Sequence, residues 1–195
     1  MLDDAVDHLR HNVLAAAADY ETAERDLSRA YEADKTPASW EPAARTAKRR
    51  AAELAIAIDG LADRCTLETG LSLTDIRSQV SALCLWPGSG APRIGALARV
   101  MGVANAYKHQ NLSNPALPIT SDADVLVIGL GYGLDGWGVG KMGGVEVLVR
   151  ETSGTSFKFL GDAPVVIAAW FRFLRQHGAV LPAGPYVAFG LQLYP

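Results

Sequence analysis

The chain has 195 residues, of which 49% are hydrophobic and 20% charged, a balance that supports a buried core and excludes a disordered polypeptide. Its formal net charge is -3 and its isoelectric point about 5.8, so the overall charge does not favour a dedicated nucleic-acid-binding protein, which is usually basic. The length suits one folded unit, and we expect residues 1–195 to form a single domain.

Cysteine usage and the N-terminal residues indicate a cytoplasmic protein. Cys65 and Cys84 are far apart and form no CxxC pair, so we expect two buried thiols in a reducing compartment and no thiolate metal site. The first residues are acidic and lack the basic start and apolar centre of a signal peptide. No apolar run is long enough to cross a membrane, and we expect neither membrane contact nor a cofactor.

Apolar residues at alternating spacings of four and three predict two long helices, from about residue 2 to 32 and from about 40 to 68. The apolar residues of each helix form one stripe, which we call its seam. Many of these residues are alanines, so each seam needs a closely packed partner, either the other helix or a second copy of the chain. Pro37 separates the two helices, and we expect them to lie antiparallel. The seams consist of Leu2, Val6, Leu9, Val13, Ala16, Tyr20, Ala23, Leu27 and Ala30, and of Ala47, Ala51, Leu54, Ile58, Leu61 and Cys65.

Charged residues on these helices invite a metal or phosphate interpretation. His8 and His11 are helical neighbours that could share a metal with nearby Asp residues, but no further ligand cluster accompanies them. We therefore expect the two histidines to form weak pairs with the nearby Asp residues at the surface and to bind no metal. A basic run on the second helix could contact phosphate, yet pairing with acidic side chains or with solvent is the interpretation we favour. The run comprises Arg45, Lys48, Arg49 and Arg50.

Two further helices complete the predicted bundle. Ser72 or Thr74 is expected to cap a short third helix, which ends before the turn at residues 86–90. Pro92 fits the first turn of a fourth helix, from about 92 to 110. The end of this helix delivers a group of polar side chains together: Asn105, Tyr107, Lys108, His109, Gln110 and Asn111.

The segment ANAYKHQNLS resembles the Asn-x-x-Lys-His end of the last bundle helix in HEPN-like helical proteins. With the following GYGLDGWGVGKMGGVEVLV, it is also similar to a group of uncharacterised bacterial proteins of about this length, over residues 95 to 175. The resemblance implies an RNA-directed factor, with His109, Lys108, Asn105 and Arg99 as the candidate catalytic residues. Active HEPN ribonucleases place an Arg a few residues before the His, whereas positions 102–104 here hold no arginine. We therefore favour a non-enzymatic protein, in which His109 caps the helix and Asn105 bonds the following loop.

A glycine-rich stretch follows a predicted buried strand at Val125–Gly129. Residues 131–136 match GxGxxG, but a dinucleotide site needs a helix there and the chain continues as a strand. We therefore expect no dinucleotide and no Walker-type phosphate loop. Tyr132, Trp137 and Lys141 are candidates for ligand binding, and packing against the protein itself is the alternative.

The rest of the chain predicts strands and one more helix. Val145–Arg150 alternates as a half-buried strand, and a returning strand follows the turn at residues 153–154. Asp162 is expected to cap a final helix that ends near Gly178 and that is either well buried or forms an interface. The apolar tail, Tyr186–Tyr194, is expected to add a strand or to wrap a neighbour.

These patterns predict an α+β fold: an antiparallel bundle of about four helices in residues 1–113, and a glycine-rich antiparallel β-meander with a C-terminal helix in residues 114–195, packed on it. Two functional hypotheses follow. The first is a non-enzymatic interaction module, forming a homo-oligomer through the alanine seams or the apolar tail. The second is a HEPN-like factor that binds or cleaves RNA through Asn105, Lys108 and His109.

Overall fold

The computed structural model describes residues 2–109, 118–130, 135, 139–141 and 143–194. It combines helices with small antiparallel sheets, which confirms the α+β class. Within these ranges no helix is long and apolar enough to cross a membrane. In chain order the elements are α1 (Asp3–His8), a π-helical segment (Leu9–Val13), α2 (Leu14–Ala33), α3 (Pro37–Thr69), α4 (Leu73–Ala82), α5 (Ala96–Lys108), a 3-10 turn (Asp122–Asp124), β1 (Val125–Leu130), β2 (Gly144–Arg150), β3 (Ser156–Lys158), α6 (Phe159–Gln176), β4 (Tyr186–Ala188) and β5 (Leu191–Tyr194).

The alanine seams of the first two predicted helices pack against each other. α1, the π-helical segment and α2 follow one another without a break and cover the first predicted helix, while α3 covers the second. In the π-helical segment both Leu9 and Val13 are fully buried, so the seam continues through it. Ala23 and Ala47 of the two seams are buried, and α2 is in extensive contact with α3. The partner that each seam requires is therefore the other helix of the same chain. The prediction is wrong at Ala16, which is half-buried, whereas its neighbour Ala17 is fully buried.

The region between α4 and α5 differs from the prediction. Ser72 caps α4, as expected, but the predicted start of the fourth helix at about residue 92 is wrong, because α5 begins at Ala96. Pro92 instead pairs with Leu85 in an isolated β-bridge. Gly95 adopts φ +79, a left-handed conformation that glycine tolerates, and the helix starts only after this turn.

β1, β2 and β3 form one antiparallel sheet in sequence order, with Val127 opposite Val147 and Val149 opposite Phe157. The prediction that β2 is half-buried is wrong. Every residue from Val145 to Val149 is buried, including Glu146, because β2 is the central strand and contacts α2, α3 and α6. A carboxylate on this strand therefore needs an internal partner.

The last helix begins earlier than predicted. α6 starts at Phe159, so the prediction that Asp162 caps this helix is wrong. Asp162 lies inside the first turn and is fully buried, where its carboxylate binds two arginines. Trp170 and Phe173 are buried further along, which agrees with the expected burial of this helix.

The apolar tail folds back on its own chain as a β4–β5 hairpin. Phe171 of α6 stacks against Tyr186 and Tyr194, with ring centroids 4.9 and 5.3 Å apart. Adding strands to its own chain was one of the two outcomes expected for the tail. A single hydrophobic cluster contains buried residues from Leu2 to Leu193, so the helical half and the later elements share a core.

Candidate functional site

The polar residues at the end of α5 have different surroundings. Lys108 Nζ lies 2.9 Å from Asp59 Oδ2, and Arg77 Nη2 lies 3.1 Å from Asp59 Oδ1. Because Asp59 is on α3 and Arg77 on α4, this carboxylate joins three helices. His109 is exposed in an extended conformation after the helix, and Asn105 is half-buried. Lys108 and His109 are both exposed, but Lys108 forms an ion pair with another helix of the chain.

Arg99, the fourth candidate, is directed into the core. Its side chain is 2% exposed, with Nε 2.7 Å from Asp162 Oδ2 and Nη2 2.9 Å from Asp162 Oδ1. Nη1 donates to Glu151 over 3.1 Å, and the guanidinium lies 3.8 Å from the centroid of the Phe157 ring. Arg99 is therefore bound to carboxylates within the protein, whereas His109 lies exposed beyond the end of the same helix.

Arg93 shares the carboxylate of Asp162. Its Nε lies 2.6 Å from Asp162 Oδ1, and its two terminal nitrogens donate to Asp135 over 2.9 and 2.6 Å. Burial lowers the pKa of both Arg93 and Arg99, but the hydrogen bonds and charges of the carboxylates outweigh burial and leave each pKa above its ordinary value. This ion cluster connects α5 to α6, and its role is structural.

Lys141, a predicted ligand-binding residue, is also bound internally. Its Nζ lies 2.6 Å from Glu24 Oε2 and donates to the backbone carbonyls of Glu24 and Val145 over 2.8 and 3.0 Å. The two carbonyl contacts are hydrogen bonds, and the contact with Glu24 Oε2 is an ion pair. Glu24 Oε1 accepts from the Tyr20 hydroxyl over 2.7 Å and from the Val147 N–H over 3.1 Å. Lys141 therefore ties its own segment to α2 and β2.

A second buried pair lies next to Lys141. Lys158 Nζ is 2.9 Å from Glu146 Oε1 and donates to the Lys141 carbonyl over 2.6 Å. Burial raises the pKa of Glu146 above its ordinary value, although the charge of Lys158 opposes the shift. Gly140 has φ +60, and a Cβ atom there would lie 2.5 Å from Glu146 Oε2. The backbone at Gly140 therefore packs directly on the buried carboxylate.

An open cleft of about 480 Å³ lies beside these ion pairs, and we call it the α2 cleft. One wall is α2, and the others come from the Gly140–Lys141 segment, the start of α6, the β4–β5 turn and Trp86. Its volume falls within the usual range for small-molecule sites. The lining residues are Glu21, Glu24, Arg25, Ser28, Arg29, Trp86, Gly140, Lys141, Leu160, Phe189 and Leu191.

Of the residues that line the α2 cleft, only Lys141 was identified from the sequence as a ligand-binding candidate. Arg25 and Arg29 are four residues apart on α2, a spacing that the sequence displays but that does not by itself indicate a cleft. Trp86 and Phe189 reach the cleft from distant segments, which no local pattern reveals. The predicted Tyr132 and Trp137, and all polar residues from 110 to 117, lie outside the described residues.

A second cleft of about 460 Å³ opens beside Arg93 and Arg99. Trp86 borders this cleft as well as the α2 cleft, and Ile94 at its edge is 85% exposed. Both arginines are already bound to internal carboxylates, and Glu151 adds a negative charge at the edge. The second cleft therefore offers less charge to a ligand than the α2 cleft does.

Cys65, Cys84 and His8 are buried or hydrogen-bonded within the protein. Burial raises the pKa of Cys65 to about 12 and that of Cys84 to about 11, so the nucleophilic thiolate is scarce at neutral pH. His8 Nε2 lies 2.8 Å from the Ala57 carbonyl, and burial lowers the pKa of His8. Among the residues that the structure describes, no group of three or more His, Cys, Asp or Glu side chains could hold a metal ion.

These regions differ in whether their charged groups are bound within the chain or line an open cleft. The ion pairs around Asp162, Glu24 and Asp59 are bound within the chain, whereas the α2 cleft is open and combines apolar walls with charged groups. The α2 cleft is therefore the candidate functional site. Comparisons of the chain with protein-family models, with curated proteins and with solved structures found no match.

Proposed function

We propose that this chain is a non-enzymatic binding protein and that its ligand occupies the α2 cleft. The observation that carries the proposal is the lining of this cleft. Trp86, Leu160, Phe189 and Leu191 are each half-buried and form its apolar part, and charged side chains lie along α2. Apolar walls with a few placed polar groups are typical of small-molecule sites.

The walls of the α2 cleft are held together by contacts between distant segments. Glu21 Oε2 accepts the Phe189 N–H over 3.0 Å, which ties the β4–β5 turn to α2. The Lys141 contacts with Glu24 tie the opposite segment to the same helix. Because the walls are already ordered, a ligand loses little affinity to rearrangement of the protein.

A neutral fluorescent probe, N-phenyl-1-naphthylamine, tests the proposal. We expect its emission to rise on titration with the protein, and Ser28→Trp to abolish the rise, because Ser28 lines the cleft and the larger side chain fills it. Ala15→Trp is the matched control, since Ala15 is exposed on α2 and does not line the cleft. Binding that is absent, or that survives Ser28→Trp, would remove the α2 cleft as the site.

Self-association is a second candidate for the interaction function. It is supported by Val180, 84% exposed in the segment between α6 and β4, and by Val187, 62% exposed within β4. Exposed apolar side chains on a short hairpin favour pairing with another copy. Light scattering at micromolar concentration checks this proposal: we expect a homo-oligomer that Val187→Lys converts to monomer, and a monomeric native chain would overturn it.

The HEPN-like relationship, with its four-helix bundle and closing helix, also stays a proposal. It is supported by the ANAYKH segment at the end of α5 and by the exposure of His109. RNA binding or cleavage is the activity that this relationship implies. His109→Ala is expected to reduce binding or cleavage of single-stranded RNA, with the exposed His177→Ala as the control. Equal behaviour of the two variants would overturn the alternative.

We also propose a cytoplasmic location for the protein. Both cysteines are buried free thiols in the structure, which suits a reducing compartment. Fractionation of cells that express the full chain checks this proposal, and recovery in a membrane or secreted fraction would contradict it.

A further inference from the structure

The α2 cleft carries an excess of positive charge. Three cationic side chains line it, Arg25, Arg29 and Lys141, against two carboxylates, Glu21 and Glu24. The five groups differ in how far they are engaged within the protein, and this difference decides which of them face a ligand.

Both carboxylates are committed to internal donors. Glu24 accepts from the Tyr20 hydroxyl and the Val147 N–H and pairs with Lys141. Glu21 accepts the Phe189 N–H over 3.0 Å. Lys141 donates to two backbone carbonyls and pairs with Glu24, so a ligand that engaged Lys141 or Glu24 would have to displace contacts within the protein.

The two arginines are engaged far less. Their side chains are 60% and 75% exposed. Among contacts with described residues, Arg25 gives one hydrogen bond to Thr22 Oγ1 over 3.2 Å and lies 3.6 Å from Glu21 Oε1. Arg29 gives one to Asp26 over 3.0 Å. A guanidinium has five N–H donors, so each retains donors that can bind an anion in a forked geometry.

The position of the arginines relative to the apolar wall defines the shape of the ligand. Arg25 and Arg29 are one helical turn apart, so their guanidiniums can act on one anionic group. The wall formed by Trp86, Phe189 and the two leucines lines the same cleft. A ligand that uses both features needs a charged end and an apolar body.

We infer that the α2 cleft binds an amphipathic organic anion, with its carboxylate or phosphate held by Arg25 and Arg29 and its apolar chain or ring against Trp86, Leu160, Phe189 and Leu191. This inference rests on the proposed binding function and names the class of ligand. The Glu24–Lys141 pair stays intact in the complex and supports the floor of the cleft. Neutral and cationic molecules of the same size bind more weakly, because they form no charge-assisted hydrogen bond with the two guanidiniums.

Calorimetric titration of the full chain with decanoate, decyl phosphate, decanol and decylamine, each below its micelle concentration, tests the inference. The four probes share one apolar chain and differ in the head group. A charge-assisted contact corresponds to about tenfold or more in affinity, so we expect the anions to bind at least about tenfold more tightly than decanol, and decylamine to bind least. Comparing the two anions identifies whether a carboxylate or a phosphate is preferred.

A double variant, Arg25→Gln with Arg29→Gln, is expected to reduce decanoate affinity to that of decanol. The matched control is Arg45→Gln with Arg49→Gln, which removes the same charge from exposed arginines four residues apart on α3, outside the cleft. We expect the control to bind decanoate as the native chain does. Equal losses in the two double variants would overturn the assignment of Arg25 and Arg29.

The outcomes separate the inference from the proposed function. If decanol and decanoate bind equally and Ser28→Trp blocks both, the binding function stands and the preference for anions is overturned. If no decyl compound and no neutral probe binds, both fall together. If anions are preferred but Ser28→Trp leaves their affinity unchanged, the inferred site is wrong.

Discussion

Arg99 and Asp162 form a buried two-point ion pair that joins α5 to α6, with Nε–Oδ2 and Nη2–Oδ1 distances of 2.7 and 2.9 Å. Arg93 binds the same carboxylate at 2.6 Å, so one buried anion holds two guanidiniums. Asp162 is 0% exposed and Arg99 1% exposed, which leaves no solvent to compensate either charge. The stability of this joint therefore depends on all three groups being present.

Asp162→Asn should destabilise the fold by about 3–5 kcal/mol, because it leaves two guanidiniums without their shared buried carboxylate. Urea unfolding followed by circular dichroism measures the free energy of unfolding. Asp26→Asn is the control, since Asp26 pairs with Arg29 at the surface and should lose less than about 1 kcal/mol. Similar small losses in both variants would contradict the role assigned to Asp162.

Gly140→Ala should destabilise the protein more than Gly154→Ala does. Both glycines have positive φ, +60 and +87, so each alanine adds backbone strain of about 1–2 kcal/mol. A Cβ at Gly140 would also lie 2.5 Å from Glu146 Oε2 and 3.0 Å from Lys158 Cδ, whereas none of the described atoms lies within 4 Å of one at Gly154. Thermal and urea unfolding of the two variants provide the comparison. Equal losses would contradict this prediction and would mean that Glu146 and Lys158 move to accommodate the added methyl group.

His8 should make stability fall as the solution becomes acidic. Burial and the positive charge of Arg64 lower its pKa below the ordinary value of 6.5, while the Ala57 carbonyl and Asp4 oppose this shift. Folding therefore favours the neutral ring. Its contribution is fully present above the unfolded pKa and is lost as the pH falls through the lower folded pKa.

The difference in unfolding free energy between the native chain and His8→Gln measures this contribution. We expect the difference to be constant well above pH 6.5 and to shrink as the pH falls through 6.5. A difference that grows on acidification would mean that the folded protein prefers the charged ring, contrary to the environment observed for His8.

Cys65 and Cys84 should resist alkylation in the folded protein. Both are buried, and their pKa values of about 12 and about 11 leave little thiolate at neutral pH. We expect iodoacetamide to label neither thiol under native conditions and both in urea, as read by intact-mass spectrometry. Rapid labelling of the native chain would show that the core opens locally around these residues.

Local patterns in the sequence predicted the long helices approximately, although the predicted starts of the fourth and the last helices were wrong. The heptad spacing of seam residues such as Val13 and Tyr20 predicted the long helices, because a helix that is buried along one side has an apolar residue at every third or fourth position. Ser72 was one of two caps considered, and the structure selects it. The exposed His109 and half-buried Asn105 were recognisable as a polar group, but their chemistry stays a prediction.

The sequence by itself determined the α+β class and the approximate positions of the long helices, because these follow from local periodicity. Only the tertiary structure decided what the charged residues do. Asp162 looked like a helix cap and proved to be the buried partner of arginines more than sixty residues earlier, and Glu21 reaches Phe189 across a separation of 168 residues. The partner that a carboxylate binds depends on distance and burial in the folded chain, and local sequence spacing specifies neither of these. The α2 cleft depends on such contacts, so it became visible only when its distant walls were brought together.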